Sequence, residues 1–152
     1  MVSSRAVLAL LALCAPWQSS GFVVRRLPSR PAALSRAPAL RMAVVEIGDT
    51  DKFDKALSAA GDAVVVVDYS TTWCGPCKVI APFFAELSEK HQDTVFLKVI
   101  GDSSAEATKL MKREGVRSVP AFHFWKGGEK VDIVSGANPD ALEGALLKQL
   151  EP

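Results

Sequence analysis

Ala63–Lys78 reads AVVVVDYSTTWCGPCK, and its two halves ask for opposite structures. Ala63–Tyr69 is a nearly continuous β-branched run, the pattern of a strand buried on both faces rather than one. Trp73–Lys78 then breaks that pattern. Pro76 sits where the first turn of a helix tolerates a missing N–H, so the segment reads as a strand feeding a helix. Cys74 falls at the helix start, where free backbone N–H groups and the helix macrodipole favour negative charge and hence a thiolate. Cys77 lies one turn on, close enough to close a disulfide with it. A first thiol that attacks a target disulfide and a second that releases the mixed disulfide would be held together at high effective concentration. Asp68 is the exception within the apolar strand. An acid there is costly and should have a raised pKa, which suits a proton carrier, although a structural acid capping a neighbour would read the same way.

Working outward, strand and helix patterns alternate. Val44–Ile47 is a short apolar run. Asp49 and Thr50 offer capping side chains before Lys52–Ala60, where Phe53, Leu57 and Ala60 share a face. The helix after the cysteines should turn Val79, Ile80, Phe83, Phe84 and Leu87 inward and kink at Pro82. Thr94–Ile100 is a strand. Ser103–Glu114 is a helix with Ala107, Leu110 and Met111 on its apolar side, closed by Gly115. Val119–Trp125 and Glu129–Ser135 flank Lys126-Gly127-Gly128 as a hairpin. Asn138–Leu150 is a last helix with Ala141, Leu142, Ala145, Leu146 and Leu150 for the core. The order β-α-β-α-β-α-β-β-α argues an α/β fold, a mixed sheet with helices on both faces.

Charge divides the 152 residues in two. Residues 1–42 hold six of the 18 basic residues, all arginine, and no acid; the remaining 110 carry twelve basic residues against all 17 acids, a net of −5. A body of that charge gives no reason to expect nucleic acid or an anionic membrane as partner. The leader reads as an address. Met1–Arg5 is a short positive start. Ala6–Ala15 is apolar but half the length of a membrane span, as in a signal peptide ending near Gly21. Residues 22–42 carry five arginines, three prolines and no acid, which is transit-peptide composition. A signal peptide (1–21) followed by a transit-like segment (22–42) beginning at Phe22 resembles the bipartite leaders of plastids derived from a eukaryotic endosymbiont, with processing near Arg41-Met42-Ala43 and a working domain of 43–152. A plain secretory signal or a mitochondrial presequence are the alternatives.

Cysteine usage is sparse: Cys14 in the leader, Cys74 and Cys77 in the body. Two thiols are too few for a disulfide-stapled scaffold. A structural zinc would need His91 and His123 as well, at spacings that match no finger. His91, at a helix end, reads as a solvated partner of the helix dipole. His123 lies in a strand with no accompanying nucleophile or carboxylate.

The segments VVVVDYSTTWCGPCKVIAP, FLKV, RSVPAFHFWKGGEKV and SGANPDAL together resemble thioredoxins from about Val45 to Leu150. The resemblance implies the thioredoxin fold, a mixed five-stranded sheet flanked by four helices. It also implies protein-disulfide reduction with no cofactor beyond the Cys74–Cys77 redox pair. It assigns Asp68 as the proton exchanger of the second cysteine and Lys98 as its partner on the next strand. Pro120, after Val119, matches the family's cis-proline beside the disulfide. Trp73, Gly75, Pro76 and the Gly136-Ala137 turn match the rim on which targets dock. The partners implied are disulfide-bearing proteins and a thioredoxin reductase, ferredoxin-dependent in a plastid, with the chain working as a monomer. CKVIAP and VFLKV are similar to the plastid f-type. Three departures stand out. Ser70 replaces a second tryptophan common in the family, VIGDSS (99–104) replaces the usual acid-bearing sequence, and the f-type's extra cysteine after the lysine strand is missing near Gly101. A lumenal disulfide oxidase or isomerase usually carries a histidine between its cysteines, against Gly75-Pro76, and Leu150-Glu151-Pro152 is no ER-retention signal. A non-catalytic binding subunit would have no need to keep Cys74, Cys77, Asp68 and Pro120 together.

Overall fold

A computed structural model describes residues 44–151. The readings of residues 1–21 and 22–42 as targeting segments lie outside the described residues. The strands are β1 (Val45–Glu46), β2 (Val65–Ser70), β3 (Val95–Ile100), β4 (Ala121–Lys126) and β5 (Glu129–Ser135), and the helices α1 (Thr50–Ala60), α2 (Gly75–Lys90), α3 (Ala105–Arg113) and α4 (Pro139–Leu150). One mixed sheet runs β1-β3-β2-β4-β5, with β1, β3 and β2 mutually parallel and β4 and β5 antiparallel to their neighbours. This is the α/β fold that the sequence implies, with five strands and four helices.

The valine run occupies the central strand, where every residue is buried. Side chains of alternate residues point to opposite faces. Val65, Val67 and Tyr69 pack with Phe53, Leu57 and Leu110 under α1 and α3. Val64 and Val66 pack with Ile80, Phe84, Leu142 and Leu146 under α2 and α4. Both faces are covered, which is why the run shows no alternation of apolar and polar residues.

Side chains cap all four helices. Asp49 accepts from Lys52 N at 2.7 Å, Ser104 from Ala107 N at 3.0 Å and Asn138 from Ala141 N at 3.2 Å. In α2 the cap is a sulfur: Cys74 Sγ accepts from Cys77 N at 3.2 Å. The hairpin turns on Gly127 (φ 61°) and Gly128 (φ 81°), and two consecutive positive φ values are what a tight primed turn requires of its central residues.

Several expectations fail in detail. Val79 is not core but 75% exposed, because α2 turns Cys77, Ile80, Phe84 and Leu87 to the sheet. Phe83 is only half-buried. In α4, Leu142 and Leu146 are buried, whereas Ala141 near its start and Leu150 at its end are exposed. β1 shrinks to two residues. α2 runs on through Pro82, which is exposed. Its missing N–H leaves the Lys78 carbonyl without an intrahelical donor on the solvent side.

Candidate active site

The sheet register gathers the site at one edge. Tyr69 on β2 lies opposite Ala121 on β4, which lies opposite Ser135 on β5, while Ser70 lies beside Ile100 on β3. Four connections therefore leave the sheet at the same end: residues 71–74, 101–104, Val119-Pro120 and Gly136-Ala137. The two halves of the expected docking rim meet there directly, with Gly136 N donating to Pro120 O at 2.8 Å. Gly136 adopts φ 91°, open to glycine and strained for other residues, and the Val119–Pro120 peptide bond is cis. Pro120 is buried and Val119 half-buried, and Ala137 is exposed.

Cys74 and Cys77 form a disulfide across 5.4 Å between Cα atoms. Exposure does not separate the two cysteines, since Cys74 is 3% and Cys77 4% exposed. They differ in surroundings. Cys74 Sγ accepts from the Cys77 N–H in the first turn of α2, and an N–H aimed at sulfur stabilises the thiolate over the thiol. Cys77 instead faces inward and lines a cavity of about 180 Å³ with Ser70, Thr71, Lys78 and Lys98. Around them Trp73 is 74% exposed, and Gly75 and Pro76 are exposed too. The Trp73 ring therefore stands in water beside the cysteine pair and takes no part in the core.

Asp68 and Lys98 are paired in register on neighbouring strands, with Glu46 next to Lys98 on β1. All three line a second cavity, of about 220 Å³, under α2. Asp68 is 1% exposed. Burial pushes its pKa up to about 6, and the Lys98 charge opposes that only in part. Lys98 and Ala81 border both cavities, so the wall between Asp68 and Cys77 is one lysine side chain and one methyl group.

Sequence reasoning missed Asp102. Its carboxylate accepts from Thr72 N at 2.9 and 3.1 Å and from the Thr72 hydroxyl, which hold its pKa below the usual carboxylate range. One residue earlier, Gly101 N donates to Ser70 O at 2.8 Å. The 101–102 turn therefore grips the chain on both sides of Thr71, just before Trp73 and Cys74. The signal was present in outline: an acid immediately beyond a strand that ends at the same sheet edge as the cysteines. A Cβ at Gly101 would run into Met111 Sδ, so the Met111 side chain occupies the space beside this glycine.

Among the described residues no group of His, Cys, Asp and Glu is arranged to hold a metal, and no helix is long and apolar enough to cross a membrane. The redox group is the protein's own disulfide.

Comparison with known proteins agrees with this geometry. A thioredoxin family model matches residues 44–148. Marmoset (Callithrix jacchus) thioredoxin is 48% identical over 103 residues, 68% of this chain and 95% of that protein, and human thioredoxin is 46% identical over the same length. Among solved structures, the complex of ferredoxin:thioredoxin reductase with thioredoxin f2 includes a chain 42% identical, with a TM-score of 0.69 over 74% of this chain and 99% of that one. Spinach chloroplast thioredoxin f is 38% identical, with a TM-score of 0.71 over 75% and 92%. The chain belongs to the thioredoxin family and reduces protein disulfides by dithiol–disulfide exchange at its Cys-Gly-Pro-Cys motif.

Proposed function

We propose that this thioredoxin works in the plastid stroma, reduced by a ferredoxin-dependent reductase, and that Cys74 attacks, Cys77 resolves and Asp68 carries the proton. In this reading the Cys74 thiolate attacks a target disulfide on the exposed Trp73 rim, forming a mixed disulfide and expelling one target thiolate. Cys77 then attacks Cys74 Sγ, regenerates the internal disulfide and expels the second target thiolate. The proton that Cys77 must lose passes to Asp68 through the space bordered by Lys98 and Ala81. A carboxyl with a pKa near 6 is poised to take it and return it near neutral pH, with Lys98 setting that poise. Val119, Pro120, Gly75, Pro76, Gly136 and Ala137 form the edge along which the target's extended chain lies.

The likeness to thioredoxin f2 in its reductase complex and to spinach chloroplast thioredoxin f carries the plastid assignment. The acid-free, arginine-rich residues 1–42 support it, read as signal peptide 1–21 and transit segment 22–42 before a domain of 43–152. A fluorescent fusion of residues 1–42 should enter the plastid, and the native protein should begin near Met42 or Ala43 by mass spectrometry. Recovery of a chain starting at Phe22 from endomembrane fractions would favour the secretory alternative. Delivery to mitochondria would favour the presequence reading.

A further inference from the structure

We propose that the cavity between Cys77 and Lys98 is a binding site for a small oxyanion, of the size and charge of inorganic phosphate or sulfate. The cavity holds about 180 Å³. That is several times the roughly 30 Å³ share of a single water and below the roughly 300 Å³ at which organic-ligand sites begin, so a small ion is the size class that fits.

Its walls have one sign. Lys78 and Lys98 both line it, with the hydroxyl-bearing Ser70, Thr71 and Thr72, and no carboxylate does. Lys98 is half-buried, yet among the described residues no carboxylate pairs with its ammonium within 4 Å; Asp68 and Glu46 line the neighbouring cavity, and Asp68 feels its charge from further off. A partly desolvated ammonium without a close counter-ion favours an anion strongly. Thr71 Oγ1 is buried without a hydrogen-bond partner, so a donor is free at the same place. Thr72 is differently employed: its hydroxyl and N–H are held by Asp102, which lies outside the lining.

The space is open at position 70 because serine, buried at 3% exposure, puts only a small side chain into the wall. An indole in its place would fill the cavity. The consequence for the chemistry follows from the shared wall. An anion beside Lys98 would neutralise the charge that favours ionised Asp68 and would repel a thiolate at Cys77, so binding and resolution by Cys77 should oppose each other. Phosphate would thereby slow turnover without touching Trp73 or Cys74.

Amide NMR of the full-length chain, titrated with sodium phosphate and separately with sodium chloride at matched ionic strength and pH, tests this. Saturable shifts at Ser70, Thr71, Lys78 and Lys98 with phosphate, absent with chloride, are expected. Ser70→Trp should abolish the saturation, and Lys78→Ala, a surface change that leaves the sheet untouched, should weaken it about tenfold. Insulin reduction by the wild type should fall as phosphate replaces chloride, and Ser70→Trp should lose that sensitivity. Equal, non-saturating shifts in both salts would overturn the proposal, as would saturation that survives both substitutions. Sulfate in place of phosphate then distinguishes a general oxyanion site, with similar affinity, from one that selects phosphate.

Discussion

Each face of the sheet buries a titratable side chain, and the two have opposite fates. Under α2 and α4 lies Asp68; under α1 and α3 lies His123, 2% exposed, with its ring 4.7 Å from that of Tyr69. Burial moves both away from their charged forms, Asp68 up to about 6 and His123 down to about 4. Asp68, however, borders a cavity, has Lys98 beside it on β3 and is one side chain away from Cys77. His123 has no cysteine beside it, and of the charges that reach it Glu114 favours the imidazolium while Lys130 opposes it. Its Nδ1, the Tyr69 hydroxyl and the Trp125 indole N–H are all buried without a protein partner, and Glu114 nearby is already bound by Arg113 and Lys130. In the proposed mechanism, therefore, burial alone does not mark a working group. A shifted group becomes chemistry where a cavity, a countercharge and a reactive neighbour meet it.

The largest effects should come from the sulfurs to which the Asp68 face leads. Cys74→Ser should lose essentially all insulin reduction, more than about 10³-fold, and trap no targets. Cys77→Ser should retain the first attack and accumulate mixed disulfides that reductant dissolves. Gel analysis under non-reducing conditions reads both. Trapping by Cys74→Ser instead would reverse the assigned roles, and with them the link from Asp68 to the resolving thiol.

Asp68→Asn comes next. Insulin reduction at pH 7 should slow on the order of 10- to 100-fold, at or just below the low end of the range for losing a general acid–base. Stability should move the other way. The folded-state pKa is raised, so ionised Asp68 costs stability above about pH 6, and the cost fades as pH falls toward 3.8. A shift of about two units corresponds to about 3 kcal/mol, so Asp68→Asn should be more stable by up to that amount at pH 8 and no more stable below pH 4. Urea melts at both pH values measure it. A large stability loss with unchanged turnover would make Asp68 structural and equate the two faces.

Asp102→Ala probes whether the working face needs help from the turn that holds its loop. Freed from Asp102, Thr72 should no longer hold Trp73 in place. KM for insulin should rise about three- to tenfold, while reduction of a small aromatic disulfide, which needs no rim, stays within twofold. Asp102→Asn keeps an acceptor for Thr72 N and should restore most of the insulin KM. Equal losses with both substrates would show a general structural role instead.

Most of the architecture was legible because each local signal agreed with the fold. The valine run could only be a central strand, Gly127-Gly128 only a tight turn, and Asp49, Ser104 and Asn138 stand where helices begin. Asp68 was legible as an anomaly, an acid in an apolar run. Val79 misled because α2 follows two rules at once. Its apolar periodicity is that of a core helix, but its first turns border the docking edge, where an apolar residue can face outward. The role of Asp102 was hard to read for another reason. Its role depends on β3 ending beside β2 at the same edge, a contact across 30 residues of sequence that no local pattern encodes. The two cavities arise the same way, from Ala81 on α2 and Lys98 on β3 meeting Asp68 of β2 in one and Ser70 of β2 in the other.

His123→Phe should have the smallest effect on disulfide reduction, none beyond twofold, because nothing on its face leads to Cys74 or Cys77. Its value lies in the pH dependence of stability, where the two faces oppose each other. His123 has a depressed folded-state pKa, so the neutral ring contributes stability above about pH 6.5 that is lost as pH falls toward 4. Asp68 gains over nearly the same window, since its raised pKa makes acid relieve a cost. The shifts are each about two units, up to about 3 kcal/mol, with opposite signs, so in the wild type they largely cancel between pH 7 and pH 4. Removing one should expose the other. Asp68→Asn should lose stability on acidification more steeply than the wild type. His123→Phe, close in volume and apolar, should change stability at pH 7 by less than about 1.5 kcal/mol and gain relative to the wild type as pH falls. Denaturant melts of the three proteins at half-unit steps from pH 7 to pH 4 give the curves. Two variants tilting in opposite directions would confirm that both groups are buried in their neutral forms and that only one is put to use. Parallel curves would mean that one of the two faces is wetter than its packing implies.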